Sequence, residues 1–354
     1  MNNRNPNAFN SSNRRSVAKP TSGVLGAIAN GLSLVLVRPY LIVLPIIVDL
    51  VIWLGVQISV KPLTNSLDRF MRDYGGSSGP DAADQISRLG DWLRLNDLIG
   101  FFLPSLFGGL PKETSVNWLV LLLAPALADG VDRKSFFDGY GNGPLSTWEP
   151  SHSVGVVTLG IGLILISTLL LVLFRMPIAR TVRGRKPFHP GMTRELVMTW
   201  LSVLGLILLA IFTFVALLIP VTLLVVVSLI FGYGLASLVA IILLSLLGMA
   251  TIYLIFVLDA ILLYHLWPLD AVRLSYRVVK GRFGECLRFA LTCLFIQTGL
   301  LQVWNVLIEN PPGIAISLVG NAFFGAGIVA ASMIFFSDRI SPADRPLQHH
   351  ARTS

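Results

Sequence analysis

Long apolar runs, broken by short clusters of Lys, Arg, Pro and Gly, set the pattern of this chain. Residues 22–36 are apolar but Gly-rich. Val24, Ile28 and Leu32 recur there at helical spacing, which predicts a helix at the inner membrane interface. Pro39 opens a first span over 39–60, ending at Lys61. A second span covers 154–174 and is closed by Arg175; a third covers 196–219 and continues to 231 past a kink at Pro220. The stretch 235–266 makes one long fourth span, 284–307 a fifth and 314–336 a sixth. Charge-free runs of about twenty residues are what a bilayer core demands of a helix. The expected fold is an all-α integral membrane bundle of six transmembrane helices, with interfacial helices and a small helical outer cap.

The same pattern divides the chain into a disordered basic cytoplasmic arm (1–20), an interfacial helix with the first span (21–60), and an extracytoplasmic helical cap (61–153). A five-span bundle (154–336) and a cytoplasmic tail (337–354) follow. In the cap, Leu63, Leu67, Phe70 and Met71 form one apolar stripe; Ile86, Leu89, Trp92 and Leu93 form another. Two apolar pieces, 98–110 and 118–128, contain Pro104 and Pro125 and are too short to span. A re-entrant hairpin made from them would hold Lys112 and Glu113 at its tip, where burial is expensive. The expectation is therefore a cap lying on the outer face.

Composition agrees: 54% of residues are apolar and 13% charged, roughly half the charged share of a soluble domain. Of the 27 Lys and Arg, 19 fall in the arm, at Arg38, in 175–194, in 267–288 and in the tail; the other eight lie between Lys61 and Lys134. Short loops rich in Lys and Arg stay cytoplasmic. Both termini are thus expected inside, in a bacterial cytoplasmic membrane. Splitting 221–266 into two spans would push the basic 267–288 loop outside. The net charge of +8 belongs to these loops and to anionic headgroups, so the partner it implies is the lipid bilayer and no nucleic acid.

Candidate chemistry is sparse. Cys286 and Cys293 are seven apart on one helix, about 10 Å along its axis, too far for a disulfide. Asp129, Asp132 and Asp138 lack the spacing of a calcium loop, and Glu149 with His152 is a lone pair. No Ser/His/Asp set, P-loop or metal-ligand pattern occurs, so neither catalysis nor a metal is expected. What stands out is polarity inside spans: Asp49, Asp259, Asn305 and Asn321. Asp49 is surrounded by apolar neighbours, and its partner must come from another span, with Asp259, Gln297, Gln302, Asn305 and Asn321 as candidates. An intramembrane acid is a functional suspect, or else a hydrogen-bonded tie between helices. His265, beside Tyr264 and Trp267, reads as part of an aromatic belt, though such a residue could also ligate haem or a chlorophyll-type pigment. Ala322, Ala326 and Ala330 offer a small-residue packing face within the bundle.

Between spans four and five the chain reads PLDAVRLSYRVVKGRFGECLRFAL. Its pattern predicts an amphipathic interfacial helix, with Val272, Tyr276 and Val279 toward lipid and Arg273, Arg277 and Lys280 on headgroups. With Ala271, Ser275, Val279, Gly281, Phe283 and Leu287, and with the closing SMIFFSDRI, this elbow resembles that of bacterial multi-pass families. One of them is the membrane domain attached to some glycerophosphodiester phosphodiesterases. The resemblance implies a six-span scaffold; without a soluble catalytic domain it implies no activity. The functional expectation is a non-enzymatic membrane subunit that scaffolds or assists a larger complex with other membrane proteins. The alternative is a small-solute or proton-coupled transporter using Asp49 and Asp259. A lipid-handling enzyme working through the cap is a third, weaker option.

Overall fold

The computed structural model describes residues 23–74, 147–187, 189, 191–230, 233–308 and 311–340, with short pieces between 80 and 106. Asp129, Asp132, Asp138, Lys112, Glu113, Leu89, Trp92, Leu93, the 118–128 piece, the basic arm and most of the tail lie outside the described residues. The first helices are α1 (Val24–Val37), a 3-10 turn (Pro39–Ile42), α2 (Val43–Leu54), α3 (Lys61–Tyr74) and the single turn α4 (Asp97–Gly100). Then come α5 (Ser153–Val182), α6 (Met192–Ile230), α7 (Tyr233–Leu254) and α8 (Val257–Tyr264). The last three are α9 (Pro268–Gly281), α10 (Phe283–Leu307) and α11 (Pro311–Arg339). Two two-residue strands, β1 (Gln57–Ile58) and β2 (Thr147–Trp148), pair in parallel beside the start of α5.

Five stretches are long and apolar enough to cross a membrane, in α5, α6, α7–α8, α10 and α11. A sixth follows if α1 and Pro39–Leu54 count as one span bent by 97°. The chain is an all-α, multi-pass membrane protein. Helices dominate because a bilayer offers no water to satisfy backbone groups, so each span must bond within itself.

The bundle is unevenly packed. Half of the most apolar stretch of α11 is buried, against 11% in α6 and in the α7–α8 span. Ala322, Ala326 and Ala330 are fully buried, as the small-residue face predicts. Alongside them, α1 packs its Ala27, Ile28, Gly31 and Val35 on α11. The approach is tight: a Cβ on Gly31 would meet Gly327 O at 2.4 Å and Ala331 N at 2.6 Å. Helical periodicity in 22–36 predicted the helix but not this neighbour.

Three boundaries differ from the pattern. The first span, expected over 39–60, is helical only to Leu54 and is followed by the strand Gln57–Ile58. The helix of the second span does not stop at Arg175: α5 runs on to Val182, and Arg175 forms an ion pair with Asp259 inside the bundle. The long fourth span is broken at Ile255–Phe256 into α7 and α8. There Phe256, fully buried, stacks on Phe335 and Phe336 at 5.7 and 5.3 Å and meets Phe289 at 6.1 Å. Ser275 Oγ donates to Tyr253 O at 2.7 Å, satisfying a carbonyl of the last α7 turn. α6, by contrast, continues through Pro220 to Ile230, as expected.

The elbow helix α9 is amphipathic, with Arg273, Arg277 and Lys280 exposed. Its apolar face, however, meets protein. Ala271, Leu274, Ser275, Val278 and Val279 are buried against α7 and α8, so Val279 does not face lipid while Tyr276 remains exposed. Arg273 Nη1 lies 3.4 Å from Asp270, and Lys280 Nζ sits 5.7 Å from the Tyr276 ring. The stripe on α3 remains uncovered: Leu63, Leu67 and Phe70 are exposed.

Candidate functional site

Three polar clusters are set into this apolar frame. The first surrounds Asp49, which is completely buried on α2. Among the described residues no hydrogen bond joins it to any of the five expected partners. Its carboxylate instead accepts hydrogen bonds from Ser105 Oγ and from the backbone N–H of Leu106, at 2.9 and 3.1 Å to its two oxygens. Those donors belong to a segment that dips into the bundle. Ser167, fourteen residues and about 21 Å along α5, donates to Ile99 O at 3.2 Å. Asn321, ten residues into α11, donates to Pro104 O at 3.3 Å. A Cβ on Gly325 would lie 2.2 Å from Pro104 Cβ. Residues 103–106, in the stretch expected to lie on the outer face, are thus packed among the helices, with Leu103 and Leu106 fully buried. Asp49, Ser167 and Asn321 together bond polar groups of an irregular backbone that could not otherwise stand at that depth.

The second cluster surrounds Asp259, buried on α8. Arg175 Nη1 of α5 lies 3.6 Å away, and Ser332 Oγ of α11 donates to its carboxylate. Three helices thus converge on one ion pair. Arg175 Nε is buried and has no hydrogen-bond partner among the described residues. A few residues along α5, Trp200 Nε1 donates to Thr168 Oγ1 at 3.0 Å and joins α6 to the same helix. Asn305 contributes nothing comparable: its Nδ2 is buried without a partner among the described residues, as is Trp304 Nε1.

The third cluster lies where α5 and α8 end and α6 begins. Glu195 sits between Arg180 Nη1 and His265 Nε2, the latter at 2.7 Å. Thr199 Oγ1 lies 3.1 Å from the other ring nitrogen, Nδ1. Burial and the neighbouring Arg183 hold the imidazole below its ordinary value, although Glu195 pulls the other way. A neutral ring fits these contacts, with Nε2–H donating to Glu195 and Nδ1 accepting from Thr199. His265 is thus a polar helix joint as well as an aromatic-belt neighbour. A haem or pigment at this residue would have to displace one of the two bonds. His265 also closes α8 in the left-handed conformation, φ 52°, uncommon for a residue with a Cβ.

Arg183, just past α5, lies 5.3 Å from the Tyr264 ring centroid. Burial, with the adjoining Arg185, lowers it to about 10, so it stays charged at neutral pH. At the same end Arg38 Nη1 donates to Thr181 Oγ1 at 2.6 Å, and Arg339 is buried between Glu285, at 2.9 Å, and the Phe335 ring, at 3.3 Å.

Among the described residues no group of three or more His, Cys, Asp or Glu is placed to hold a metal ion. Glu149 and His152 are both exposed, and His152 Nδ1 contacts Ser151 Oγ. Cys286 and Cys293 are free thiols, both buried. The chain matches no family model, and no curated protein or solved structure resembles it significantly.

Proposed function

We propose that this protein is a non-enzymatic membrane subunit that scaffolds or assists a larger membrane complex. One observation carries the reading: both intramembrane acids are engaged by the chain's own groups. Asp49 ties the 103–106 segment to α2, and Asp259 joins α5, α8 and α11. Such acids work as ties between helices, Asp49 through its hydrogen bonds and Asp259 through Ser332 and Arg175, although Asp259 Oδ1 makes no hydrogen bond among the described residues. The thinly covered α6–α7 hairpin then supplies surface for neighbouring subunits. Both termini face the cytoplasm of a bacterial inner membrane, since the basic ends of α5 and α9 follow the positive-inside rule.

The test is purification of the intact chain in mild detergent, followed by mass spectrometry. A scaffold retains partner subunits in fixed stoichiometry. The transporter alternative draws on the second cluster, where Arg175 Nε is unpartnered among the described residues beside Asp259. It requires the chain to purify alone and to gain thermal stability with a solute. In that outcome Asp259→Asn would abolish the solute response while leaving the fold intact.

A further inference from the structure

The helix α3, KPLTNSLDRFMRDY, presents three distinct faces. Leu63, Leu67, Phe70 and Tyr74 recur at i, i+4, i+7 and i+11, which is one stripe of an amphipathic helix. All four are exposed, from 39% at Leu63 to 77% at Tyr74. A second face is packed: Thr64, Asp68 and Met71 are half-buried, and α3 rests on α5. Asn65, Arg69 and Asp73 make a third face, exposed and polar. The apolar stripe is thus not the side by which α3 is fastened to the protein.

The contacts that fix α3 also fix its level. Ser59 N donates to Trp148 O at 3.0 Å, beside the pairing of β1 with β2, and Lys61 N donates to the buried Ser59 Oγ at 3.2 Å. Leu63 N and Thr64 N then bond Val60 O, at 3.0 and 3.2 Å, and start the helix. Toward its other end Arg72 pairs with Asp68 and with Asp84, at 3.2 and 2.6 Å. The helix therefore starts at one rim of the bundle, where α2 has ended and α5 begins. Around this rim apolar side chains already point outward: Leu54 in the last turn of α2, and Val154 and Val157 in the first turns of the span α5. Trp148, at the same rim, is half exposed, as tryptophans of the membrane–water interface are. The stripe of α3 continues this lipid-facing surface. Leu, Phe and Tyr on one face, with charged and amide side chains on the other, is the composition of a helix that lies in the interface plane.

We propose that α3 lies on the membrane surface at the Ser153 end of the bundle, with Leu63, Leu67, Phe70 and Tyr74 among lipid acyl chains. Asn65, Arg69 and Asp73 face water. The occupant of the stripe is phospholipid, so this face anchors the chain to the bilayer and is independent of any scaffolding contact.

The test uses the full chain in vesicles of phosphatidylethanolamine and phosphatidylglycerol. Leu67→Cys and Asn65→Cys, on opposite sides of α3 and about 10 Å apart, each receive a polarity-sensitive fluorophore; both native thiols are buried. The vesicles include phosphatidylcholine bearing a nitroxide near the top of one acyl chain. On reconstitution the Leu67→Cys label should shift its emission to the blue, and the nitroxide should quench it severalfold more than the Asn65→Cys label. Equal quenching at the two positions would overturn the proposal. So would a blue shift at Leu67→Cys without nitroxide quenching, which would assign the stripe to a protein partner or a second copy. An unlabelled variant gives a second reading. Leu63→Gln with Leu67→Gln and Phe70→Gln replaces exposed side chains, so the melting temperature in detergent should hold while trypsin cleaves 61–74 faster in vesicles. Cleavage at the unaltered rate would also overturn the proposal.

Discussion

Asp49 shows how a single side chain organises backbone far from it in sequence. Its carboxylate serves Ser105 Oγ, on a half-buried residue, and Leu106 N–H, on a fully buried one. Replacing it with Leu removes the acceptor of the buried Leu106 N–H, at a cost of about 1–3 kcal/mol. Asn keeps one oxygen acceptor, so Asp49→Asn should lose less than Asp49→Leu; unfolding titrations of the two variants check the order. Asp259 and Arg175 behave differently because each is a charge. Arg175→Met alone leaves a buried carboxylate and should destabilise strongly, whereas Arg175→Met with Asp259→Leu should recover most of the loss. A double-mutant cycle reads the coupling. For His265 the effect of pH has a definite sign. Its folded value lies below the ordinary 6.5, so near and below pH 6.5 the unfolded chain binds the proton more readily. Stability should fall as pH drops through that window, down to the lowered folded value. His265→Asn, which tolerates the left-handed backbone, should flatten the slope between pH 7.5 and 5.5.

Among the elements, the contact of α1 with α11 is the most exacting. Gly31→Ala would drive a methyl group to within 2.4 Å of Gly327 O, and backbone cannot yield as a side chain can. Separation of α1 from α11 should follow, seen as faster proteolysis of 24–37. Gly299, in α10, is the matching control. A Cβ there meets nothing within 4 Å, so Gly299→Ala should be neutral or stabilising by up to about 1 kcal/mol. The break between α7 and α8 follows the same logic. Phe256 leaves the helical path to fill an aromatic cluster with Phe289, Phe335 and Phe336, whose burial outweighs continuous helix.

At the scale of the molecule, the helices divide into a packed side around α1, α5, α8 and α11 and a thinly covered hairpin, α6 with α7. β1 and β2 mark the Ser153 end of the bundle, and Arg38, Thr181, Glu285 and Arg339 mark the other. Ser66 and Lys186 are exposed at opposite ends. Cysteines introduced there, in a chain whose two native thiols are buried, should react with an impermeant reagent from opposite sides of the membrane. Labelling of both from one side would refute the bundle as a spanning structure.

How much of this was legible before folding depends on the range of the interaction involved. Helical class, the number of spans and the polar anomalies at Asp49, Asp259 and His265 follow from local composition and periodicity, because a bilayer allows few ways to satisfy a backbone. The small-residue face of α11 was visible for the same reason, as a spacing of i, i+4. Partners were not visible. Asp49 is answered by a serine and a backbone N–H 56 and 57 residues away, and a backbone N–H carries no signature in sequence. Arg175 looked like the end of a span because a charge is costly in lipid; only the arrival of Asp259 from α8 makes it affordable inside. A hairpin of 98–110 and 118–128 was set aside on the cost of burying Lys112 and Glu113, which lie outside the described residues; what packs among the helices is the stretch that holds Ile99 and residues 103–106. Its depth rests on Ser167, Asn321 and Asp49, three side chains on three other helices. Local physics determined which segments enter the membrane. Tertiary structure alone decided which polar groups meet there, because each such group is tolerable only when another element brings its complement.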